Sequence, residues 1–185
     1  MPRYVLTGAP GAGKTALLRL LEAGGYRVVQ EAATDVIAME QALGRPEPWT
    51  CAGFADKIVT LQRRREAVAG PGGSGAGAVF FDRSPVCTLA LCRFLGQQPS
   101  ALVAAEVDRV VTERVYWPEV FFVRNQGFVT TTAARLISLA DCLAFEELHE
   151  RTYRELGFAL IDVPPGPLPE RTAVVRRAVA AGLTA

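Results

Sequence analysis

The sequence predicts a three-layer α/β/α fold around a mostly parallel five-stranded sheet. Short apolar segments alternate along the chain with longer segments of helical character. This order is typical of right-handed β-α-β units, which place helices on both faces of a parallel sheet. The apolar segments are also continuous, as strands covered on both faces must be.

The predicted strands are short and rich in Val, Phe and Leu. They are 3–7, 26–30, 78–82, 119–123 and 158–162. The predicted helices are 14–24, 33–43, 54–69, 85–95, 100–115, 135–156 and 169–181. The glycine-rich segment 70–77 contains a formal GxGxxG at 70–75. It precedes a strand, whereas a dinucleotide-binding loop follows one, so we interpret it as a surface linker.

Length and charge exclude several classes of protein. A chain of 185 residues predicts one domain that spans 1–185. Lys plus Arg is 20 and Asp plus Glu is 19, so a net charge of +1 provides no broad basic surface for nucleic acid. Because no apolar segment could cross a bilayer and no signal peptide is apparent, we expect a cytoplasmic protein without a membrane partner. The sequence leaves open whether it is a monomer or a homodimer.

The cysteines do not predict a zinc site. None of the four forms a CxxC pair, and the chain has one histidine, so a zinc ion would have too few well-spaced ligands. We expect each cysteine to be a buried, reduced thiol. The four are Cys51, Cys87, Cys92 and Cys142.

Residues 8–15, Gly-Ala-Pro-Gly-Ala-Gly-Lys-Thr, form a complete GxxxxGK[ST] phosphate-binding loop. The motif follows a predicted strand and precedes a predicted helix, as its chemistry requires. Its glycines let backbone N–H groups face phosphate oxygens, and the helix directs the positive end of its dipole at the same anion. We therefore predict a P-loop NTPase fold that binds a nucleoside triphosphate.

The loop predicts a set of nucleotide and metal contacts. We expect Lys14 to reach the β- and γ-phosphates and the Thr15 hydroxyl to bind Mg²⁺. ATP and Mg²⁺ are the expected cofactors, and a preference for GTP stays open. The predicted contacts to the nucleotide are Gly8, Pro10, Gly11, Ala12, Gly13, Lys14, Thr15 and Ala16.

Two large classes of P-loop protein do not fit the remaining sequence. The fourth predicted strand continues as FFVRNQG and lacks the NKxD element with which GTPases read guanine. The third ends Phe-Phe-Asp-Arg-Ser without the Asp-Glu pair of large ring-forming ATPases, and the chain is too short for their additional lid domain. A nucleoside- or nucleotide-kinase-like protein remains.

Three charged residues follow predicted strands at the edge of the sheet where ligands of α/β proteins gather. Asp82 ends a strand and could hold Mg²⁺, and the next residue, Arg83, could contact a transferring phosphoryl group. Glu31 could orient and deprotonate an acceptor hydroxyl. As alternatives, Asp82 could cap the helix at Pro85, although Ser84 is the better-placed cap, and Glu31 could be an ordinary acid in the first turn of a helix.

The segments GAPGAGKT, YRVVQEAA, FFDRSP and ERTYRELGFALIDVP together resemble the small AAA-type ATPase/kinase domains related to nicotinamide riboside kinases. The FDRS segment is also similar to the Glu-Arg-Ser motif of deoxynucleoside kinases. This resemblance implies that Glu31 is the base, Asp82 the acid on the metal side and Arg83 a phosphate contact. It also implies a lid arginine at Arg135.

Two segments are candidates for the acceptor side of the site. Residues 125–135 are polar and threonine-rich, as in a lid that brings Arg135 to the phosphates, although Arg135 could equally be a solvated residue at a helix start. Residues 32–69 form a long insertion in which Trp49, Phe54 and Gln62 could bind a ring-containing acceptor. The two aromatic residues could instead close the core.

The remaining charged features have simpler interpretations. We interpret Arg63 to Arg65 as a solvated helix face and His149 as a structural residue in the core. Arg171 follows the last strand, at a position where P-loop kinases pack the adenine.

We predict an enzyme that transfers the γ-phosphoryl group of ATP to a small hydroxyl acceptor. Transfer would depend on position and charge, with Lys14 and Mg²⁺ neutralising the phosphates. The alternative is a regulatory ATPase whose nucleotide state controls binding to a protein partner.

Overall fold

The computed structural model describes residues 1–70, 77–128 and 138–182. Its strands are β1 (Arg3–Thr7), β2 (Arg27–Val29), β3 (Val79–Asp82), β4 (Glu119–Val123) and β5 (Ala159–Val163). Its helices are α1 (Lys14–Ala23), α2 (Ala33–Ala42), α3 (Phe54–Ala69), α4 (Pro85–Phe94), α5 (Ala101–Thr112), α6 (Leu139–Glu155) and α7 (Leu168–Gly182). A short 3₁₀ helix at Pro48–Thr50, which the sequence did not predict, joins α2 to α3.

The five strands form one sheet in the order β2-β3-β1-β4-β5. Each neighbouring pair is parallel, so all five strands end at the same edge. β1 is central, and the strands on one side of it are β3 and then β2. Loops after these three strands must therefore lie side by side.

Both faces of the sheet are buried, which confirms the three-layer prediction. Leu6, Phe80 and Phe121 pack on one face with residues of α1 and α7. The next residues along the same strands, such as Phe81, face the opposite side and pack with residues of α3, α4, α5 and α6. The continuous apolar strands thus serve two cores, as inferred from their composition.

Three helix ends explain where the predicted boundaries were wrong. Tyr26, Val115 and Phe158 each donate their backbone N–H to the carbonyl five residues earlier, which closes the end of α1, α5 or α6. Tyr26 and Phe158 were predicted to begin strands, but both strands start one residue later. The predicted helix 100–115 ends at Thr112, because Arg114 takes the left-handed conformation usually left to glycine (φ 50°).

The cysteine prediction is wrong at one position. Cys87, Cys92 and Cys142 are buried thiols outside any disulfide, but Cys51 is exposed beside the 3₁₀ helix. Residues 71–76 of the predicted linker lie outside the described residues. Within the described ranges, no helix combines the length and apolarity that a membrane crossing requires.

Replacing Gly8 by Ala should destabilise the fold by more than about 3 kcal/mol. Gly8 has φ 127°, and an added Cβ would overlap the backbone carbonyl oxygen of Val123 on β4. Gly25→Ala is the matched control, because Gly25 also has a positive φ (90°) but nothing lies within 4 Å of an added Cβ. It should cost about 1–2 kcal/mol, the backbone penalty alone. Urea unfolding of both variants tests this, and equal losses would contradict the steric account.

Candidate active site

The phosphate-binding loop connects β1 to α1 at the shared edge of the sheet. Gly8, Gly11 and Gly13 all have positive φ (127°, 84° and 87°), and α1 begins directly after Gly13. Thr15 and Ala16 are exposed in the first turn of α1, and Ala12 is packed in the core beneath the loop. The predicted loop thus has the conformation that leaves backbone N–H groups available to an anion.

Lys14 folds back against its own loop. Its Nζ donates to the carbonyl oxygens of Gly8 (3.0 Å) and Ala9 (2.8 Å), and the residue is buried. Burial, helped by the positive charge of Arg83, lowers the pKa of Lys14 to about 8. To reach a bound phosphate, the ammonium group would exchange these carbonyl oxygens for phosphate oxygens.

Asp82 ends β3 next to this loop and is buried. Its Oδ1 has no hydrogen-bond partner, which is costly for a buried carboxylate. Burial and the negative charge of Glu31 raise the pKa of Asp82 to about 6. An unpartnered buried oxygen beside a phosphate-binding loop is suited to a cation that arrives with the nucleotide.

The fit of Mg²⁺ to this site rests on that oxygen. In the described residues, no group of three His, Cys, Asp or Glu side chains could hold a metal by itself. Mg²⁺ does not need one, because it usually keeps several waters and takes one or two protein ligands together with substrate phosphates. Asp82 and the exposed Thr15 hydroxyl supply oxygen ligands of that kind.

Arg83 and Glu31 form an ion pair across the ends of β3 and β2. Arg83 Nε donates to Glu31 Oε1 at 2.5 Å, and Thr34 Oγ1 donates to the other carboxylate oxygen at 2.9 Å. Arg83 Nη1 also donates to the carbonyl of Gly8 at 3.2 Å. One guanidinium group therefore connects the phosphate-binding loop to the carboxylate that follows β2.

The charges of this pair stabilise each other. Burial acts to raise the pKa of Glu31, but the charges of Arg83 and Lys14 hold that pKa below its usual value. Burial likewise acts to lower the pKa of Arg83, and the Glu31 charge raises it above its usual value. Glu31 is thus a carboxylate and Arg83 a cation at neutral pH.

A cavity of about 510 Å³ opens beside the ion pair and the loop. The predicted acceptor residues Trp49, Phe54 and Gln62 all line it, and Phe54 also packs in a small core with Ile58. The aromatic residues therefore close a small core, as one interpretation predicted, and they also lie where an acceptor could contact them. Gln62 is buried, and its Oε1 faces no hydrogen-bond donor.

Helices α4 and α6 complete this cavity with residues that the sequence analysis missed. Phe94 and Phe145 stack on each other with ring centroids 4.6 Å apart, and Cys87 and Thr88 lie nearby on α4. The residues from α4 lie far along the chain from Phe145 on α6. Nothing in the local sequence of these residues distinguishes them from ordinary core residues. The topology of the fold brings them together.

The predicted lid and the remaining arginines have mixed outcomes. Of the segment 125–135, only 125–128 is described, and Arg135 lies outside the described residues. Arg124, directly before the segment, is held by Glu150 (2.5 Å) and Asp162 (2.7 Å), which indicates a structural role. The prediction of a solvated face at 63–65 is confirmed for Arg63 and Arg64, which are exposed, whereas Arg65 is partly buried. Two of the three also form ion pairs. Arg63 pairs with Glu106, and Arg65 pairs with Asp35.

Arg171, on α7, supports the phosphate-binding loop through a hydrogen bond. It is buried, and it donates to the carbonyls of Ala12 (2.8 Å) and Arg124 (3.1 Å). A smaller cavity of about 290 Å³ lies beside it, between the Pro164–Gly166 turn and α7. Arg171 therefore contacts the phosphate-binding loop and also lines this second cavity.

Comparison with known proteins identifies the family. A family profile described as AAA domain matches residues 3–171, and the chain belongs to this family of P-loop NTPases. A search of curated proteins gave no significant match.

The fold is also that of solved nucleoside kinase structures. One is a deoxyadenosine kinase from M. mycoides with the products dCMP and a flexible dCDP bound. It has a TM-score of 0.63 and 14% identity, with 97% of this chain and 99% of that chain covered. The same enzyme with bound dCTP gives a TM-score of 0.63 and 15% identity, covering 98% and 100% of the two chains. Its complex with dATP gives 0.57 and 12%, covering 97% and 100%.

Replacing Asp82 by Asn should stabilise the metal-free protein at pH 7 but not at pH 4. Because the folded-state pKa of about 6 lies above the usual 3.8, the carboxyl group binds a proton more tightly when folded. Its contribution to stability is present at low pH and is lost as the pH rises through about 6. The difference between these two pKa values sets an upper limit of about 3 kcal/mol on the gain.

Chemical unfolding in EDTA at both pH values measures this difference. The control is Asp108→Asn, which removes an exposed carboxylate on α5. A gain at pH 7 in Asp82→Asn alone supports the assignment. If Asp82→Asn instead loses stability at pH 7, the neighbouring cations already compensate the buried charge of Asp82.

Proposed function

We propose that this protein is a Mg²⁺-dependent kinase that transfers the γ-phosphoryl group of ATP to a hydroxyl of a neutral, ring-containing acceptor such as a deoxynucleoside. The observation that carries the proposal is one shared cavity. Lys14, Glu31 and Arg83 line the same 510 Å³ space as Trp49 and Gln62. We propose the cytoplasm as its location, where ATP and Mg²⁺ are abundant.

The loop and its neighbours would bind the phosphates. Backbone N–H groups of the loop and the N-terminus of α1 favour the polyphosphate, and Lys14 would neutralise the transferring group. Thr15 and Asp82 would hold Mg²⁺, which supplies charge neutralisation to the phosphates when bound. Arg83 Nη2 makes no hydrogen bond within the described part of the chain, so it is available to a phosphoryl oxygen.

Glu31 would orient the acceptor hydroxyl more than it would deprotonate it. Each of its carboxylate oxygens accepts one hydrogen bond, which leaves acceptor capacity for a substrate O–H. Its lowered pKa makes it a weak base. A weak base is sufficient, because phosphoryl transfer through a loose transition state depends mainly on position and charge.

The cavity selects the body of the acceptor. Its wall is mostly apolar and aromatic, and its volume suits a small ring-containing molecule. Its charged lining residues among those described are Lys14, Glu31, Arg83 and Asp141. The first three form the cluster at the loop. Asp141 is next to Cys142, whose thiol contacts the carbonyl of Pro10 in the loop.

Among the described lining residues, the end of the cavity away from the loop thus offers no cation to a second phosphate and no carboxylate to an aminoglycoside. A neutral body fits best, and the buried Oε1 of Gln62 requires a hydrogen-bond donor from it. The structural likeness to deoxyadenosine kinase supports a nucleoside as the first acceptor to test.

Mg²⁺-dependent ADP release should increase at least 100-fold when deoxyadenosine is added to ATP, because the acceptor hydroxyl displaces water at Glu31. Lys14→Ala should abolish this activity, and Glu31→Gln should lower kcat by about 10²-fold or more, the scale of a lost positioning contact. Glu22→Gln, an exposed carboxylate on α1, is the matched control and should retain full activity.

A panel of nucleosides, nicotinamide riboside, sugars and aminoglycosides completes that experiment. Stimulation by one neutral acceptor class, lost in Glu31→Gln, establishes a small-molecule kinase. Tight ATP binding with no stimulation by any acceptor would instead favour a regulatory ATPase that acts on a protein partner.

Gln62→Leu should raise KM for deoxyadenosine about fivefold and leave KM for ATP unchanged. The variant removes one hydrogen bond to a neutral substrate, which is worth about 1 kcal/mol. It also removes a buried oxygen without a partner, so the melting temperature of the free protein should not fall. Gln98→Leu, at an exposed position after α4, is the control. An equal rise in both KM values would place Gln62 outside the acceptor site.

A further inference from the structure

His149 lies against the guanidinium group of Arg83. It comes from α6 and is fully buried. Its Nδ1 is 2.9 Å from the carbonyl oxygen of Phe145, and its Nε2 is 3.3 Å from Arg83 Nη1. This histidine lies in the core, as the sequence predicted, and it also contacts the candidate active site.

The two contacts determine the protonation state of the imidazole. A carbonyl oxygen only accepts hydrogen bonds, so Nδ1 must carry the proton that it donates to Phe145. Guanidinium nitrogens only donate, so Nε2 must present its lone pair to Arg83. Burial, with the charge of Arg83, lowers the pKa of His149 to about 3, in agreement with this neutral form.

Arg83 needs such a contact because its conformation is unfavourable. Its φ is 75°, in a region that costs a non-glycine residue of order 1–3 kcal/mol, so its surroundings must hold it there. Its backbone N–H donates to Leu6 O at 3.0 Å, Nε donates to Glu31, and Nη1 donates to Gly8 O and to His149. Among the described residues, His149 is the partner that reaches the guanidinium from the helical layer.

The same histidine also contacts the wall of the cavity. Its ring packs edge-to-face on Phe145 with centroids 4.2 Å apart, and Phe145 stacks on Phe94. Both phenylalanines line the cavity. A bound acceptor would therefore press on the residues that hold the imidazole.

We propose that His149 is a positioning residue, which accepts a hydrogen bond from Arg83 at Nε2 and so fixes the guanidinium against Glu31 and the phosphate-binding loop. Its role in turnover rests on the proposed kinase function. Its contact with Arg83 can be tested without any activity. The residue touches neither nucleotide nor acceptor and acts through Arg83.

Nitrogen NMR tests the contact directly. His149 is the one histidine of the chain, so ¹⁵N-histidine labelling reports on this residue alone. We expect the neutral form protonated at Nδ1 at pH 7, with an Nε2 resonance that shifts towards that of an unbonded nitrogen in Arg83→Gln. A proton on Nε2, or no change in Arg83→Gln, overturns the proposal.

The Nε–H cross-peak of Arg83, identified by its loss in Arg83→Gln, reports on the other partner. In the wild type it should show a rigid group protected from exchange. In His149→Phe, which keeps the ring but lacks an acceptor nitrogen, the group should become mobile. In His149→Gln, whose terminal amide oxygen can occupy the position of Nε2, it should stay rigid. An Arg83 group that is equally rigid in all three proteins contradicts the proposal.

A double-mutant cycle with ATP, Mg²⁺ and deoxyadenosine separates positioning from simple structural support. His149→Phe should lower kcat about 10- to 100-fold with little change in KM for ATP, and His149→Gln should restore most of the loss. In an Arg83→Gln background, His149→Phe should have no further effect. Equal losses in both backgrounds would show a structural role and overturn the proposal.

The two proposals fail in different ways. If the wild type transfers no phosphoryl group to deoxyadenosine or to any acceptor in the panel, the proposed function fails. The NMR results then decide the contact between His149 and Arg83 alone. If transfer occurs but the cycle is additive, the kinase stands and the positioning role is rejected.

Discussion

The ion pair between Arg83 and Glu31 is the interaction on which the candidate site depends. It spans the ends of two neighbouring strands, and the same guanidinium holds the carbonyl of Gly8 in the phosphate-binding loop. This arrangement is possible because the sheet order places β2, β3 and β1 side by side. A parallel sheet with another order would have separated the carboxylate from the loop. The strained backbone of Arg83 is the local cost of this connection.

The free protein keeps charges in the site that it does not fully compensate. Within the described ranges, Asp82 has a buried oxygen without a partner, and Lys14 donates only to carbonyls of its own loop. Both groups have pKa values displaced towards their neutral forms. A nucleotide that brings phosphates and a divalent cation would supply the missing partners. The same features that cost stability in the free protein therefore favour ligand binding, which is common at functional sites.

The sequence predicted the parts of the site that depend on local order along the chain. The phosphate-binding loop, the charged residues at or just after the ends of β2 and β3, and the strands themselves follow from short motifs and composition. The contacts among Phe94, Phe145 and His149 could not be predicted, because residues on α4 and α6 meet only after the sheet has set their positions. The end of α5 was also missed, since Arg114 takes a conformation that only glycine would have signalled. Exposed Cys51 shows that composition alone is a weak guide to burial.

The most direct test of the central claim is the destination of the γ-phosphoryl group. The wild-type protein would be incubated with [γ-³²P]ATP, Mg²⁺ and deoxyadenosine, and the label in nucleoside monophosphate compared with that in inorganic phosphate. If the cavity beside Glu31 and Arg83 holds the acceptor, the label should appear predominantly in the monophosphate. Label released only as inorganic phosphate, at a rate that neither deoxyadenosine nor any other small hydroxyl compound changes, would contradict the assignment of this protein as a small-molecule kinase.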